Sequence, residues 1–162
     1  MAKKTGGLSH FDGKGGAIMV DISAKETRSR TASAKGIISM NSLAFAAVRD
    51  GTVKKGDVLA VARIAGIMAA KKTPDLIPLC HSLAFDSCSV DFVLSEEFLR
   101  IEASCTVTLS GKTGAEMEAL TGVSAALLTV YDMCKSADRA MVIGDIRLVE
   151  KSGGKSGHFT RD

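Results

Sequence analysis

"DSCSVDFVL" (Asp86–Leu94) and "LRIEASCTVTL" (Leu99–Leu109) are separated only by "SEEF" (Ser95–Phe98). Both runs alternate apolar and polar residues with a period of two, so each reads as a strand with one buried face and the pair as a β-hairpin. Upstream, "GIIS" (Gly36–Ser39) reads as the end of a strand. "SMNSLAFAAVRDG" (Ser39–Gly51) has Met40, Leu43, Ala44, Ala47 and Val48 at helical spacing and is closed by Gly51. "GDVLAVARIAGIMAAKKTP" (Gly56–Pro74) predicts a second helix, with Asp57 as N-cap, lysines in the last turn and Pro74 just beyond. Downstream, "TGAEMEALTGVSAALLTVYDMCKSAD" (Thr113–Asp138) is the longest helical candidate, and "MVIGDIRLVEK" (Met141–Lys151) supplies a final strand. The order strand, two helices, two strands, helix, strand predicts an α+β sandwich with a mostly antiparallel sheet and helices packed on one face. A ferredoxin-like topology is the closest simple match.

At 162 residues the chain fits one domain, 1–162, and its 46% hydrophobic content excludes a disordered chain. The glycine-rich ends, 1–16 and 151–162, read as mobile unless a ligand or partner orders them. No apolar run reaches the roughly 18 residues needed to span a bilayer, and "MAKKTGGLSHFDGKGG" has no apolar h-region, so a cytoplasmic location is the default. Cys80, Cys88, Cys105 and Cys134 form no CxxC pair, which indicates neither a zinc ribbon nor a redox motif. A net charge of +3 with no Trp and one Tyr disfavours nucleic acid as a partner, while leaving room for a local basic site for a phosphorylated small molecule.

Within Gly114–Ala137 the polar residues Glu118, Thr121, Ser124, Thr129, Asp132 and Lys135 fall in roughly 140° of arc at about 100° per residue. The other faces are Ala, Leu, Val and Met, so the helix is buried on most sides and part of its stripe can line a site. The simplest reading of Asp132 and Lys135 is an i, i+3 ion pair on a solvated face. Glu116 completes "TGAE" (Thr113–Glu116), a capping-box pattern. Glu118 and Asp132 share a face but stand roughly 21 Å apart along the axis at about 1.5 Å per residue, so one helix cannot close a small pocket with both. A long ligand or a second subunit would reconcile them. Cys80 and His81 sit in "LIPLCHSL" (Leu76–Leu83), where a core histidine is the plain alternative to a binding one; a metal would need further ligands, and only His10 and His158 are available as imidazoles. "KSGGKSG" (Lys151–Gly157) is not a P-loop, because Val149 stands where glycine is required; it offers two lysines on a flexible backbone.

Taken together, "KKGDVLAVARIAGIMAAKKTPDLIPLCHSL", "GKTGAEMEALTGVSAALLTVYDMCK" and "KSGGKSG", preceded by "MVDISAK" and "RTASA", resemble the molybdenum cofactor biosynthesis protein C family, the cyclic pyranopterin monophosphate synthases. The resemblance covers the chain from about Leu8 to Phe159. It implies a ferredoxin-like subunit in a homohexamer, a trimer of dimers with active sites at the dimer interface. The implied substrate is the cyclic dihydroguanosine triphosphate made by the pathway's radical-SAM GTP cyclase, converted to cyclic pyranopterin monophosphate with release of pyrophosphate. Position by position, it implies Asp132, Lys135 and Lys55 as catalytic residues, with lysine pKa values lowered by burial or by each other. Leu79, Cys80, His81, Glu116, Met117 and Glu118 are implied to hold the base, and Arg30, Lys151 and Lys155 the triphosphate. No resident metal or cofactor is implied, with Mg²⁺ compatible with the triphosphate. Ser82 departs from the family's usual "LCHPL" and removes a proline that would stiffen the turn beside His81. Two other classes compete on the residues alone: a non-catalytic module holding a nucleotide or RNA end, and a phosphate-ester lyase acting on another nucleotide.

Overall fold

The structure is a computed structural model that describes residues 14–154 and 157–161. Nine elements follow in the order β1 (Arg28–Ser39), α1 (Ser42–Arg49), α2 (Val58–Lys71), α3 (Thr73–Leu76), β2 (Ser87–Ser95), β3 (Arg100–Gly111), α4 (Glu116–Cys134), β4 (Val142–Gly154) and β5 (Gly157–Thr160). The strands form one sheet in the order β2-β3-β1-β4-β5, and every neighbouring pair is antiparallel. Each helical connection passes over one intervening strand, β1 to β2 over β3 and β3 to β4 over β1, which is the ferredoxin-like arrangement.

Alternation decides which face the helices cover. In β1 and β3, Ala32, Ala34, Ile38, Ile101, Ala103, Cys105, Val107 and Leu109 are buried on one face. Val123, Ala126, Leu127 and Val130 of α4 are also buried and join the same core cluster. The opposite face carries cross-strand polar pairs instead: Thr31 with Thr108 at 3.2 Å, Ser33 with Thr106 at 2.7 Å, and Lys35 with Glu102 at 2.7 Å.

The helix boundaries follow side-chain chemistry. Asn41 Oδ1 accepts the Ala44 N–H at 2.8 Å at the head of α1, and Gly51 takes a φ of 66° after its end. Asp57 caps α2 as expected, accepting from Ala60 N at 3.0 Å. Pro74 ends nothing by itself: it opens the short α3, because a proline in the first helical turn forgoes an N–H that has no partner there. The hairpin turn runs one residue later than the sequence reading, since Leu99 adopts φ 47° and leaves strand geometry. The described part of the glycine-rich C-terminal stretch is strand as far as Thr160, with β4 running to Gly154 and β5 pairing back on it. No helix among the described residues is long and apolar enough to cross a membrane.

The helix layer is built on one close approach. A Cβ at Gly66 of α2 would lie 2.9 Å from the Gly122 carbonyl oxygen of α4, and a Cβ at Gly122 would lie 2.6 Å from Cys105 Sγ and 3.3 Å from the Gly66 carbonyl oxygen. The absence of both side chains lets two helix backbones and β3 meet without a spacer. Gly122→Ala would gain about 1 kcal/mol of helix propensity but overpack this contact by about 1–3 kcal/mol. Its urea midpoint is therefore expected below that of the native chain, while Gly144→Ala, with no heavy atom within 4 Å of the added carbon, stays close to native. A midpoint for Gly122→Ala equal to or above the native value would mean that the helices do not close on this contact.

Candidate active site

Because α2 runs antiparallel to α4, the loop before α2 reaches the last turn of α4. Lys55 Nζ donates to Asp132 Oδ2 and to the Asp132 carbonyl oxygen, both at 2.9 Å, and Lys135 Nζ lies 2.8 Å from Asp132 Oδ1. The i, i+3 pair forms as the simplest reading has it, and Lys55, 77 residues away, turns it into a tertiary cluster. Lys135 and then Lys55 hold the Asp132 carboxyl down at about 2, well below the usual carboxylate range. Lys135 is shifted upward, chiefly by its hydrogen bond to Asp132. The expected lowering of this lysine is therefore reversed by the carboxylate oxygen 2.8 Å from its ammonium group. The protomer thus presents two charged donors fixed on one ionised acceptor.

At the other end of α4, Leu79, Cys80, His81, Glu116, Met117 and Glu118 line one open cavity of about 430 Å³. All six residues implied for base binding meet there. Glu118 is only 3% exposed, and burial, its largest influence, raises its pKa; its own backbone N–H opposes the shift. No hydrogen bond from another side chain reaches its carboxylate among the described residues. Burial and the nearby Glu118 also push the Cys80 thiol up. His81 donates from Nε2 to the Val20 carbonyl oxygen at 2.9 Å, a bond that fixes the Nε2–H tautomer and leaves Nδ1 as an acceptor when the ring is neutral. This bond restrains the corner that Ser82 would otherwise leave looser. Val20 carried no signal in the sequence, since any residue supplies a carbonyl.

A neighbouring cavity of about 260 Å³ contains Arg30, Glu116 and Lys151 and shares Gly114 and Glu116 with the first. Lys151 Nζ lies 3.0 Å from Glu116 Oε1. The capping-box reading of "TGAE" fails, because the N-cap is Ala115 without a side-chain cap bond, so Glu116 opens the helix and reaches Lys151. Arg30 donates to the Gly111 and Lys112 carbonyl oxygens at 2.9 and 3.4 Å and thereby clamps the β3–α4 loop. Lys155 and His10 lie outside the described residues. His158 pairs with Glu150 at 2.9 Å.

Between its two ends the polar stripe of α4 bonds to its own backbone: Ser124 and Thr129 hydroxyls donate to the carbonyls of Leu120 and Ala125, each at 2.8 Å. One protomer therefore carries two separated clusters, Lys55–Asp132–Lys135 and the Glu118 cavity with Arg30 and Lys151. They stand roughly 21 Å apart along α4.

The MoaC family model matches residues 19–154. The chain is 58% identical over 155 residues to the cyclic pyranopterin monophosphate synthase of Heliobacterium modesticaldum, covering 96% of this chain and 98% of that one. It is 54% identical to the proteins of the same name in Clostridium botulinum and Pelobacter propionicus, again over 96% of this chain and 98% and 97% of theirs. With that coverage, and with the motif residues gathered at the two ends of α4, the chain belongs to the MoaC family.

Proposed function

We propose that this chain is a cyclic pyranopterin monophosphate synthase. It converts 3′,8-cyclo-7,8-dihydroguanosine 5′-triphosphate to cyclic pyranopterin monophosphate and pyrophosphate, as a lyase in molybdenum cofactor biosynthesis. The observation that carries this reading is the division of labour along α4. A cavity with apolar walls and two carboxylates suits a purine-derived ring, cations beside it suit phosphates, and a Lys–Asp–Lys cluster suits proton transfer. Near-complete matches to relatives bearing that name support it.

In this reading Lys55 and Lys135, charged and held by Asp132, deliver or relay protons during the ring rearrangement, while Asp132 keeps both ammonium groups in place. Glu118, Glu116, Cys80 and His81 meet the polar edges of the base. Arg30, Lys151 and Lys155 take the triphosphate. No resident cofactor is assigned; Mg²⁺ would arrive with the triphosphate. The two ends of α4 act together when a second subunit brings its Asp132 cluster to the first subunit's Glu118 cavity, in a homohexamer built as a trimer of dimers. The enzyme works in the cytoplasm on the product of a radical-SAM GTP cyclase.

Purified protein given the cyclic triphosphate is expected to release pyrophosphate, with Asp132→Asn and Lys55→Ala lowering the rate at least about a hundredfold and GTP giving none. A folded native protein without release would overturn the assignment. Subunit sharing is read by mixing: Asp132→Asn and Glu118→Ala, each inactive alone, should recover roughly a quarter of native sites after subunits exchange, because each mixed dimer holds one intact composite site. No recovery, with exchange verified, would place both clusters' action within one chain. The pH profile separates the carboxylates. Asp132, at about 2, gives no limb in the working range. Ionised Glu118 accepts the base's N–H groups, so kcat/KM should fall as pH drops through a value raised above 4.5, and Glu118→Gln should flatten that limb. A limb unchanged in Glu118→Gln would belong to another group.

A further inference from the structure

Asp138, four residues beyond the end of α4, is a buried acidic side chain that takes no part in the proposed chemistry; only 9% of it is exposed. Its Oδ2 accepts the Asn41 backbone N–H at 2.7 Å and its Oδ1 the Ala140 N–H at 2.8 Å. Asn41 reaches back, its Nδ2 donating to the Ala137 carbonyl oxygen at 3.2 Å while its Oδ1 caps α1. The Tyr131 hydroxyl donates to the Arg139 carbonyl oxygen at 3.0 Å. Four side-chain bonds therefore hold residues 137–140, the turn that follows Lys135.

That turn bears on both lysines of the Asp132 cluster. Lys135 closes α4, its backbone N–H bonded to the Tyr131 carbonyl oxygen at 2.9 Å, so fraying that starts in the turn reaches Lys135 at once. Lys55 is linked through α1. Asn41 heads that helix, and past its end the Thr52 N–H bonds back to the Ala47 carbonyl oxygen at 2.9 Å and the Gly56 N–H to the Val53 carbonyl oxygen at 3.0 Å, which shapes the loop that carries Lys55. The unit from Asn41 to Lys55 is thus fastened to the end of α4 twice, by Asn41–Asp138 at its head and by Lys55–Asp132 at its tail.

Apolar packing supplies less restraint here. A cavity of about 300 Å³ is lined by Ala44 and Ala47 of α1, by Met133, Cys134 and Ala137 at the end of α4, and by Lys55. A gap of that kind deprives its lining of partner atoms on one side. The hydrogen bonds at Asp138 are left to set how α1 meets α4.

We propose that Asp138 is a positioning residue for the reaction: acting through Asn41, it holds the head of α1 and the end of α4 so that Lys55 and Lys135 reach Asp132 together. The inference rests on the synthase reading and deepens it.

Asp138→Ala and Asp138→Asn test it, beside Ser33→Ala, which loses a side-chain bond on the open face of the sheet and controls for general destabilisation. Each is read by steady-state kinetics with the cyclic triphosphate and by carbon-13 NMR titration of the Asp132 carboxyl, with circular dichroism checking the fold. Asp138→Ala should lower kcat about tenfold or more, since a misplacement of about 1 Å can cost about a hundredfold. KM should stay within about twofold, because the base cavity lies at the other end of α4. The Asp132 carboxyl, held at about 2 in the native chain, should titrate nearer the ordinary carboxylate range as the lysines loosen. Asp138→Asn keeps an acceptor for the Asn41 N–H and loses the one for Ala140, so it should fall between native and Asp138→Ala in both readouts. Ser33→Ala should lower the urea midpoint and leave both readouts native. An unchanged Asp132 titration or a native kcat in folded Asp138→Ala overturns the positioning role, as do equal losses in Ser33→Ala. Should Asp138→Ala not fold, native values of both in Asp138→Asn overturn it. Native protein that turns over no cyclic triphosphate, while the variant still raises the Asp132 titration, overturns the synthase reading and leaves Asp138 as the group that holds the cluster.

Discussion

The contact between Gly66 and Gly122 fixes more of this molecule than any other. It sets how closely α2 lies on α4 and, through Cys105 beneath Gly122, how closely both lie on β3. Each glycine costs a helix about 1 kcal/mol relative to alanine, a cost offset here by packing that a Cβ would prevent. The consequence reaches both ends of the helix pair. Lys55 sits just ahead of the α2 cap and Leu79–His81 follow its far end, so a single antiparallel crossing delivers Lys55 to Asp132 and the Leu79–His81 turn to Glu118.

Much of the fold was legible because its elements declare themselves by period. The hairpin alternates cleanly, α2 carries its cap at Asp57, and the strand–helix order admits few topologies. What escaped was decided by tertiary partners. Glu116 satisfies a local capping pattern on paper, yet Lys151, 35 residues away, is within reach and Ala115 takes the cap position. The glycine-rich "KSGG" reads as a loose end, but backbone pairing is indifferent to side chains, and Thr31–Ser33 give Glu150–Ser152 a ladder to join.

The candidate site was legible to an uneven degree. The α4 stripe showed that one helix carries polar groups where apolar ones are expected, but its middle bonds to its own carbonyls, while Glu118 lines a cavity at one end and Asp132 and Lys135 join the ion cluster at the other. Lys55 joined the list through family motifs, because nothing in local spacing links residues 77 positions apart. The Val20 carbonyl that orients His81 carried no signal.

The electrostatics and the surface bear on the same assembly. Ile64 of α2 and Leu128 of α4 are 64% and 61% exposed, with Met68 beside them at 48%, so the outer side of the helix pair offers apolar area of the kind that a subunit interface covers. Covering it in the proposed dimer would draw water away from the Lys55–Asp132–Lys135 cluster as well. An isolated lysine so treated would tend to lose its proton, but Lys135 keeps an Asp132 carboxylate oxygen at 2.8 Å, whose hydrogen bond holds its pKa up. The cluster would then enter the interface with one positive charge more than its carboxylate neutralises. In the proposed composite site that surplus faces a substrate carrying a triphosphate, so the polyanion completes a charge balance that the protein alone leaves open.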